Sequence, residues 1–329
     1  MIPHLFPLHP TGTKQPFFLC APAGGVLFPC YHVLKYWDED RPFYAIQDPS
    51  LNPDVPYFKS VENHARANVA ILRTYQPEGP YIIGGWSYGA MVALDMIRQL
   101  EAVGAKAEIV VLDMRVNGPG RESPLANLTP LQRLYVIPKL IVVVFSHTGP
   151  YFRDGFYIMF GDRIKRGSPI APLLRVCMRV LGRAPVADVV ESRPHLDIPT
   201  AGLFRCLRVL GSNMRAFRKF KPSPVDAHGS LIKASDSASL GLHDPDPAMG
   251  WGDVLRGGVD VYDTPGNHVT LMLHPAIEIA GDAMKKALET ADRNLDVLAT
   301  LSVASRFPKA ARGEGARSRL ICRSCCLVY

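Results

Sequence analysis

Gly85-Trp86-Ser87-Tyr88-Gly89 sets a serine between two glycines, directly behind the apolar run Tyr81-Ile82-Ile83 and ahead of the helix-forming run Ala90 to Leu100. A strand that turns sharply into a helix needs residues without a Cβ where its backbone passes close to its neighbours. Such a turn holds the apex side chain out at the edge of the sheet. The chemistry on offer is nucleophilic, with the Ser87 hydroxyl attacking a carbonyl carbon. The blander reading is an ordinary strand-to-helix turn in which Ser87 only caps the helix.

A serine hydroxyl is a weak nucleophile at neutral pH, so it needs a base within hydrogen-bond reach, and that base needs a carboxylate to orient it. His268 suits the base, because Pro265-Gly266-Asn267-His268 is a turn-prone loop between the expected last strand and last helix. The other nine of the 10 histidines lack this context. Two carboxylates fit the third role. Asp113 ends the strand Ile109 to Leu112, and Asp236 follows the strand Leu231 to Ala234. Both belong to the carboxyl edge, where sites of open α/β sheets gather, and spacing does not choose between them. The backbone N–H of Tyr88 is one expected donor to an oxyanion. A second is expected from the turn Ala21-Pro22-Ala23-Gly24-Gly25.

The elements that must carry these groups alternate between strand-like and helix-like patterns, which predicts an α/β fold with a mostly parallel central sheet and flanking helices. Pro16 to Cys20, Phe43 to Ile46, Tyr81 to Ile83, Glu108 to Leu112, Ser230 to Ala234 and Val259 to Tyr262 read as strands. Ser60 reads as the N-cap of a helix with Val61, Ala65, Val69 and Leu72 on one face. A closing helix from Pro275 turns Ile277, Ala280, Met284 and Leu288 inward. The rhythm breaks from Asn117 to about Pro224. The expectation is one domain over residues 1–304 with an inserted helical lid at about 117–225, then a basic, disordered tail over 305–329.

At 329 residues, 47% hydrophobic and 20% charged, the chain can bury a full core without a metal or disulfide. Its seven cysteines are odd in number and scattered, which reads as reduced thiols, and no metal site is expected. No leader pattern or membrane-spanning run is evident, so a cytoplasmic location is expected. The net charge of +7 concentrates in the tail and between Arg133 and Lys221, including Arg163, Lys165, Arg166 and Arg215 to Lys221. That bias suits a solvated face or an acidic or phosphate-bearing partner. Nucleic acid is disfavoured, since no nucleic-acid-binding signature accompanies the charge.

Taken together, Leu19 to Gly25, Gln76-Pro77-Glu78-Gly79-Pro80-Tyr81 leading into Gly84 to Gly89, Val111-Leu112-Asp113, Met249-Gly250-Trp251 and Pro265 to Met272 resemble the thioesterase domains of nonribosomal peptide and polyketide synthases. The ordering is specific and spans about Phe17 to Leu288, with only the lid unmatched. The resemblance implies an α/β-hydrolase fold and a triad of Ser87, His268 and Asp113, favouring Asp113 over Asp236. It also implies oxyanion donors at Ala23 and Tyr88. The activity implied is release of an acyl, polyketide or peptidyl chain from the phosphopantetheine thioester of an acyl or peptidyl carrier protein, by hydrolysis or cyclisation, without a cofactor of its own. The chain departs from the family at Ala21, where a histidine is frequent, and at Ala90, where a further glycine is common. A carboxylester or lipid hydrolase on the same fold, or a non-catalytic acyl-binding protein, is the rival expectation.

Overall fold

The computed structural model describes residues 2–26, 28–116, 201–236, 245–268 and 270–306. The chain parts into two units, Met1–Leu295 and Asp296–Tyr329. The first holds the sheet, and the second is described only as the end of a helix that stops at Arg306.

The strands are β1 (Leu5–His9), β2 (Phe17–Cys20), β3 (Phe43–Ile46), β4 (Tyr81–Trp86), β5 (Ala107–Leu112), β6 (Gly229–Ala234) and β7 (Val259–Thr264), in the spatial order β1-β3-β2-β4-β5-β6-β7. All neighbours are parallel except β1, which runs antiparallel to β3. This is the expected fold class. Strands β2 to β5 are buried at every position, because a parallel sheet is covered on both faces. Hence they read as continuous apolar runs without alternation. Full burial of side chains such as Phe17, Phe18, Ile82 and Ile83, all at 0% exposure, contributes about 1.5–3 kcal/mol each.

Strand β1 was not expected. It contains Pro7, which cannot donate to a ladder and is tolerated at a sheet edge; the register shifts between Pro7 and His9. Helix α1 (Val61–Tyr75) starts as foreseen, with Ser60 Oγ accepting from the Asn63 N–H at 3.2 Å. Helix α2 (Tyr88–Glu101) is buried along most of its length, and α4 (Ala276–Arg306) buries Ile277, Ala280, Met284 and Leu288. The expected lid falls largely outside the described residues, as do Arg163, Lys165 and Arg166. Of that range, Ala201–Lys219 forms helix α3. Of the expected tail, Ser305 and Arg306 end α4, and 307–329 lies outside the described residues.

The order of strands dictates where a site can form. From β2 the chain passes to β3 on one side, and from β4 it passes to β5 on the other. The carboxyl ends of β2 and β4 therefore mark the switch point of the sheet, where open α/β folds form their binding crevice, with the Gly-rich turn after β2 beside the Ser87 turn after β4.

At the opposite edge of the sheet, His228 bridges strands. Its Nδ1 lies 3.3 Å from Glu108 Oε2, and its Nε2 lies 3.6 Å from Asp260 Oδ2. Buried Glu108 also accepts from Asn294 Nδ2 at 3.1 Å. The bond to Glu108 outweighs burial and raises the His228 pKa above its ordinary 6.5. A group held protonated in the fold stabilises fully below its unfolded pKa and loses that contribution as pH rises through the folded value. The expected outcome in thermal melts is that wild type exceeds His228→Gln near pH 6 and that the gap narrows steadily towards pH 9. A gap that stays constant over that range removes the ion-pair assignment.

Candidate active site

Residues 85–89 form the turn the sequence suggests. Ser87 adopts φ +56° and ψ −129°, a conformation costing about 1–3 kcal/mol that persists only where surrounding contacts impose it. Two of these contacts are visible in the backbone. The Ser87 N–H continues the β4–β5 ladder to the Leu112 carbonyl at 3.3 Å, and its own carbonyl receives the Ala90 N–H at 2.9 Å. The side chain makes no helix-capping bond, so the capping reading fails and the hydroxyl stays half-buried at the crevice.

The glycines are required by distance. A Cβ on Gly85 would stand 2.1 Å from the Gly89 carbonyl carbon, and one on Gly89 would stand 2.4 Å from the Cys20 carbonyl oxygen and 2.7 Å from that of Ala21. Only bare backbone lets the start of α2 press on the turn after β2. Beneath that turn lies Cys20, whose Sγ donates to Met96 Sδ at 3.4 Å and accepts from Asn68 Nδ2 at 3.8 Å. Complete burial pushes its thiol up to about 12.

Asp113 extends β5 in a left-handed conformation, φ +45°. Its N–H donates to the Ile232 carbonyl at 2.8 Å, and its Oδ1 accepts the Ala234 N–H at 2.8 Å. The remaining oxygen, Oδ2, lies 2.9 Å from His268 Nδ1. A carboxylate only accepts, so Nδ1 carries the hydrogen and Nε2 is left with its lone pair. The chain beyond Asp113 is clamped by Trp251, fully buried, whose Nε1 donates to the Met114 carbonyl at 2.6 Å.

The His268 loop is held from within and from the elbow side. Asn267 and Thr270 exchange bonds: the Asn267 N–H donates to Thr270 Oγ1 at 2.8 Å, and the Thr270 N–H donates to Asn267 Oδ1 at 3.0 Å. The His268 carbonyl accepts Trp86 Nε1 at 3.2 Å. His268 is thereby bonded through its ring to Asp113 and through its backbone to the residue before Ser87. Asp236 is exposed; its N–H donates to the Gly266 carbonyl at 2.9 Å. His274, outside this loop, lies 3.1 Å from Glu278.

The turn after β2 closes on itself through a bond from the Gly25 N–H to the Pro22 carbonyl at 2.8 Å. Ala23 in this turn is buried, and Tyr88 is the first residue of α2, where first-turn N–H groups have no acceptor within the helix. Sequence reasoning missed what lies behind these two residues: Asp48, His64, Asn213 and Arg205. His64 had a legible signal, since it shares the inner face of α1 with Val61, Ala65 and Leu72. Among the described residues, no group of three or more His, Cys, Asp and Glu side chains is arranged to hold a metal ion. No helix of the described residues is long and apolar enough to cross a membrane.

Residues 15–126 match the family model described as a thioesterase domain. An atromentin synthetase of Serpula lacrymans var. lacrymans is 34% identical over 279 residues, covering 82% of this chain and 26% of the relative, so the chain spans about a quarter of the curated relative's length. Among solved structures, the NocB thioesterase domain in covalent complex with a fluorophosphonate nocardicin G analogue superposes with a TM-score of 0.54 at 22% identity, covering 87% of this chain and 99% of that one. A four-domain nonribosomal peptide synthetase bound to AMP and glycine gives a TM-score of 0.59 at 22% identity, with 86% of this chain and 20% of that one covered. These two share the fold. Over residues 15–126 the chain carries the thioesterase-domain match, and its seven-stranded sheet is the α/β-hydrolase fold that these structures share.

Proposed function

We propose that the protein releases an acyl, polyketide or peptidyl chain from a carrier-bound thioester by serine catalysis. The observation that carries this is the double attachment of His268, ring to Asp113 at 2.9 Å and backbone to Trp86 at 3.2 Å, beside a serine held in a strained conformation without a capping bond. The thioesterase-domain match over residues 15–126 supports thioester hydrolysis in general. The sequence of steps follows from the residues.

His268 Nε2 takes the Ser87 hydroxyl proton as Oγ bonds to the thioester carbonyl carbon. Asp113 holds the tautomer and offsets the charge that forms on the imidazole. The negative charge passes to the carbonyl oxygen, where the N–H groups of Ala23 and Tyr88 receive it, in the company of the positive end of α2. Collapse breaks the carbon–sulfur bond, and His268 gives its proton to the departing thiolate. The Ser87 ester is then attacked by water, or by a nucleophile within the acyl chain, with His268 again taking the proton and returning it to Ser87 Oγ as the bond from Oγ to the acyl carbon breaks. Side chains and backbone supply every group; the phosphopantetheine arm belongs to the substrate.

An acidic carrier protein would meet the basic stretch. Its described part is the end of α3, where exposed Arg215, Arg218 and Lys219 share one face by their spacing, followed by Lys221. Such charges act chiefly on encounter.

A fluorophosphonate probe is expected to label Ser87 fully in wild type and to lose labelling in Ser87→Ala and His268→Ala. Turnover of a thioester should fall about 10⁴-fold in Asp113→Asn, while Asp236→Asn stays near wild type. Absence of labelling would leave a non-catalytic acyl-binding protein, and faster turnover of oxygen esters than of thioesters with equal acyl groups would favour the ester hydrolase. Reversing charge at Arg215, Arg218 and Lys219 is expected to raise KM for carrier-bound substrate at low salt and leave small thioesters unaffected. Equal KM for both substrate kinds in this variant removes the docking assignment.

A further inference from the structure

A cluster of buried polar side chains lies behind the turn after β2, and none of its members takes part in the proton transfers above. Asn213 on α3, at 0% exposure, uses both hydrogens of Nδ2: one reaches the Ala23 carbonyl at 3.0 Å and the other reaches Asp48 Oδ2 at 2.7 Å. Both partners are acceptors, so the orientation of the amide is set. Its Oδ1 finds no hydrogen-bond partner among the described residues, an arrangement that is unfavourable for a buried amide. Packing alone would be better served by an apolar side chain.

Asp48, also at 0% exposure, grips the same turn a second time, through its N–H to the Gly25 carbonyl at 3.3 Å. Its Oδ1 receives the Ser50 N–H at 2.8 Å and the Ser50 hydroxyl at 2.6 Å. On the far side stands His64, with Nδ1 at 3.9 Å from Asp48 Oδ2 and 3.3 Å from the Tyr88 hydroxyl. Burial outweighs the Asp48 charge and pushes the His64 pKa down, so it meets Tyr88 as a neutral ring. Arg205 closes the frame from α3, donating to the carbonyls of Ser50 at 2.7 Å, Asn52 at 2.8 Å and Val55 at 2.6 Å.

Each of the two residues assigned as oxyanion donors is thus tied, through a group other than its N–H, to one buried cluster: Ala23 by its carbonyl and Tyr88 by its hydroxyl. We propose that Asn213, Asp48 and His64 are positioning residues that fix the separation of the Ala23 and Tyr88 N–H groups and so set the rate of the acyl-transfer steps. The proposal rests on the acyl-transfer reading above. It follows from how steeply such stabilisation depends on placement, where a displacement near 1 Å costs about 10²-fold in rate.

The test uses the full chain, a small thioester, and infrared difference spectra of the Ser87 ester carbonyl, whose stretch falls when oxyanion donors polarise it. In Asn213→Ala, kcat is expected to drop about 10- to 100-fold, with KM within about threefold and the carbonyl band moved to higher wavenumber. Tyr88→Phe, which deletes one oxygen and keeps the N–H, should shift both readouts the same way by a smaller factor. A cluster that only stabilises the fold would lower the melting temperature and leave kcat and the band of the folded variants where they are, which overturns the proposal. If Asn213→Ala does not fold, Tyr88→Phe decides alone. A wild-type chain that forms no Ser87 ester sinks the acyl-transfer reading itself and this inference with it, whereas an ester formed normally in wild type and unperturbed in the variants sinks only the positioning role.

Discussion

The Asp113 carboxylate is the point at which sheet and site become one structure. One oxygen receives the Ala234 N–H and the other faces the His268 ring. The group at the end of β5 thereby fixes the end of β6 and the loop after β7 together. Removing it would take away the acceptor that the Ala234 N–H and the His268 ring both use. The left-handed backbone at Asp113 and the Trp251 clamp on Met114 are the local distortions that aim this carboxylate. Parallel pairing from β4 to β7 is what brings the three chain ends to the same edge.

A second constraint is close approach. Gly85 and Gly89 allow the elbow to fold on itself and against the Cys20 and Ala21 carbonyls at distances no side chain permits. The strain at Ser87 is sustained by a buried strand on one side and a buried helix on the other. This half of the site is therefore built directly on the buried core beneath it.

Much of this was legible in the residue order because the central strands are mostly apolar, Glu108 in β5 aside, and the helices are periodic, with α1 capped by Ser60. Ser60, the inner face of α4 and the elbow glycines all obey local rules. Edge strand β1 escaped notice because Pro7 breaks its pattern and only pairing with β3 makes it a strand. The choice between Asp113 and Asp236 was closed to spacing, since both end neighbouring strands; which carboxylate meets His268 depends on how the loop after β7 folds back. Buried polar residues were the hardest to foresee. Asp48 and Asn213 read as surface residues one at a time, and their burial follows from chain segments far apart in sequence packing on the same turn.

The thiol of Cys20 sits in the strand that leads directly into the Ala21 to Gly25 turn, enclosed by Met96 and Asn68. In the acyl transfer proposed for Ser87, a free thiolate in this strand would compete with the serine for activated acyl groups, exchanging one thioester for another and stalling the cycle. Enclosure keeps the sulfur in its protonated, unreactive form. Hydrophobic packing here would act as chemical selectivity, admitting a cysteine as filler beside a centre for which sulfur-bonded substrates are proposed.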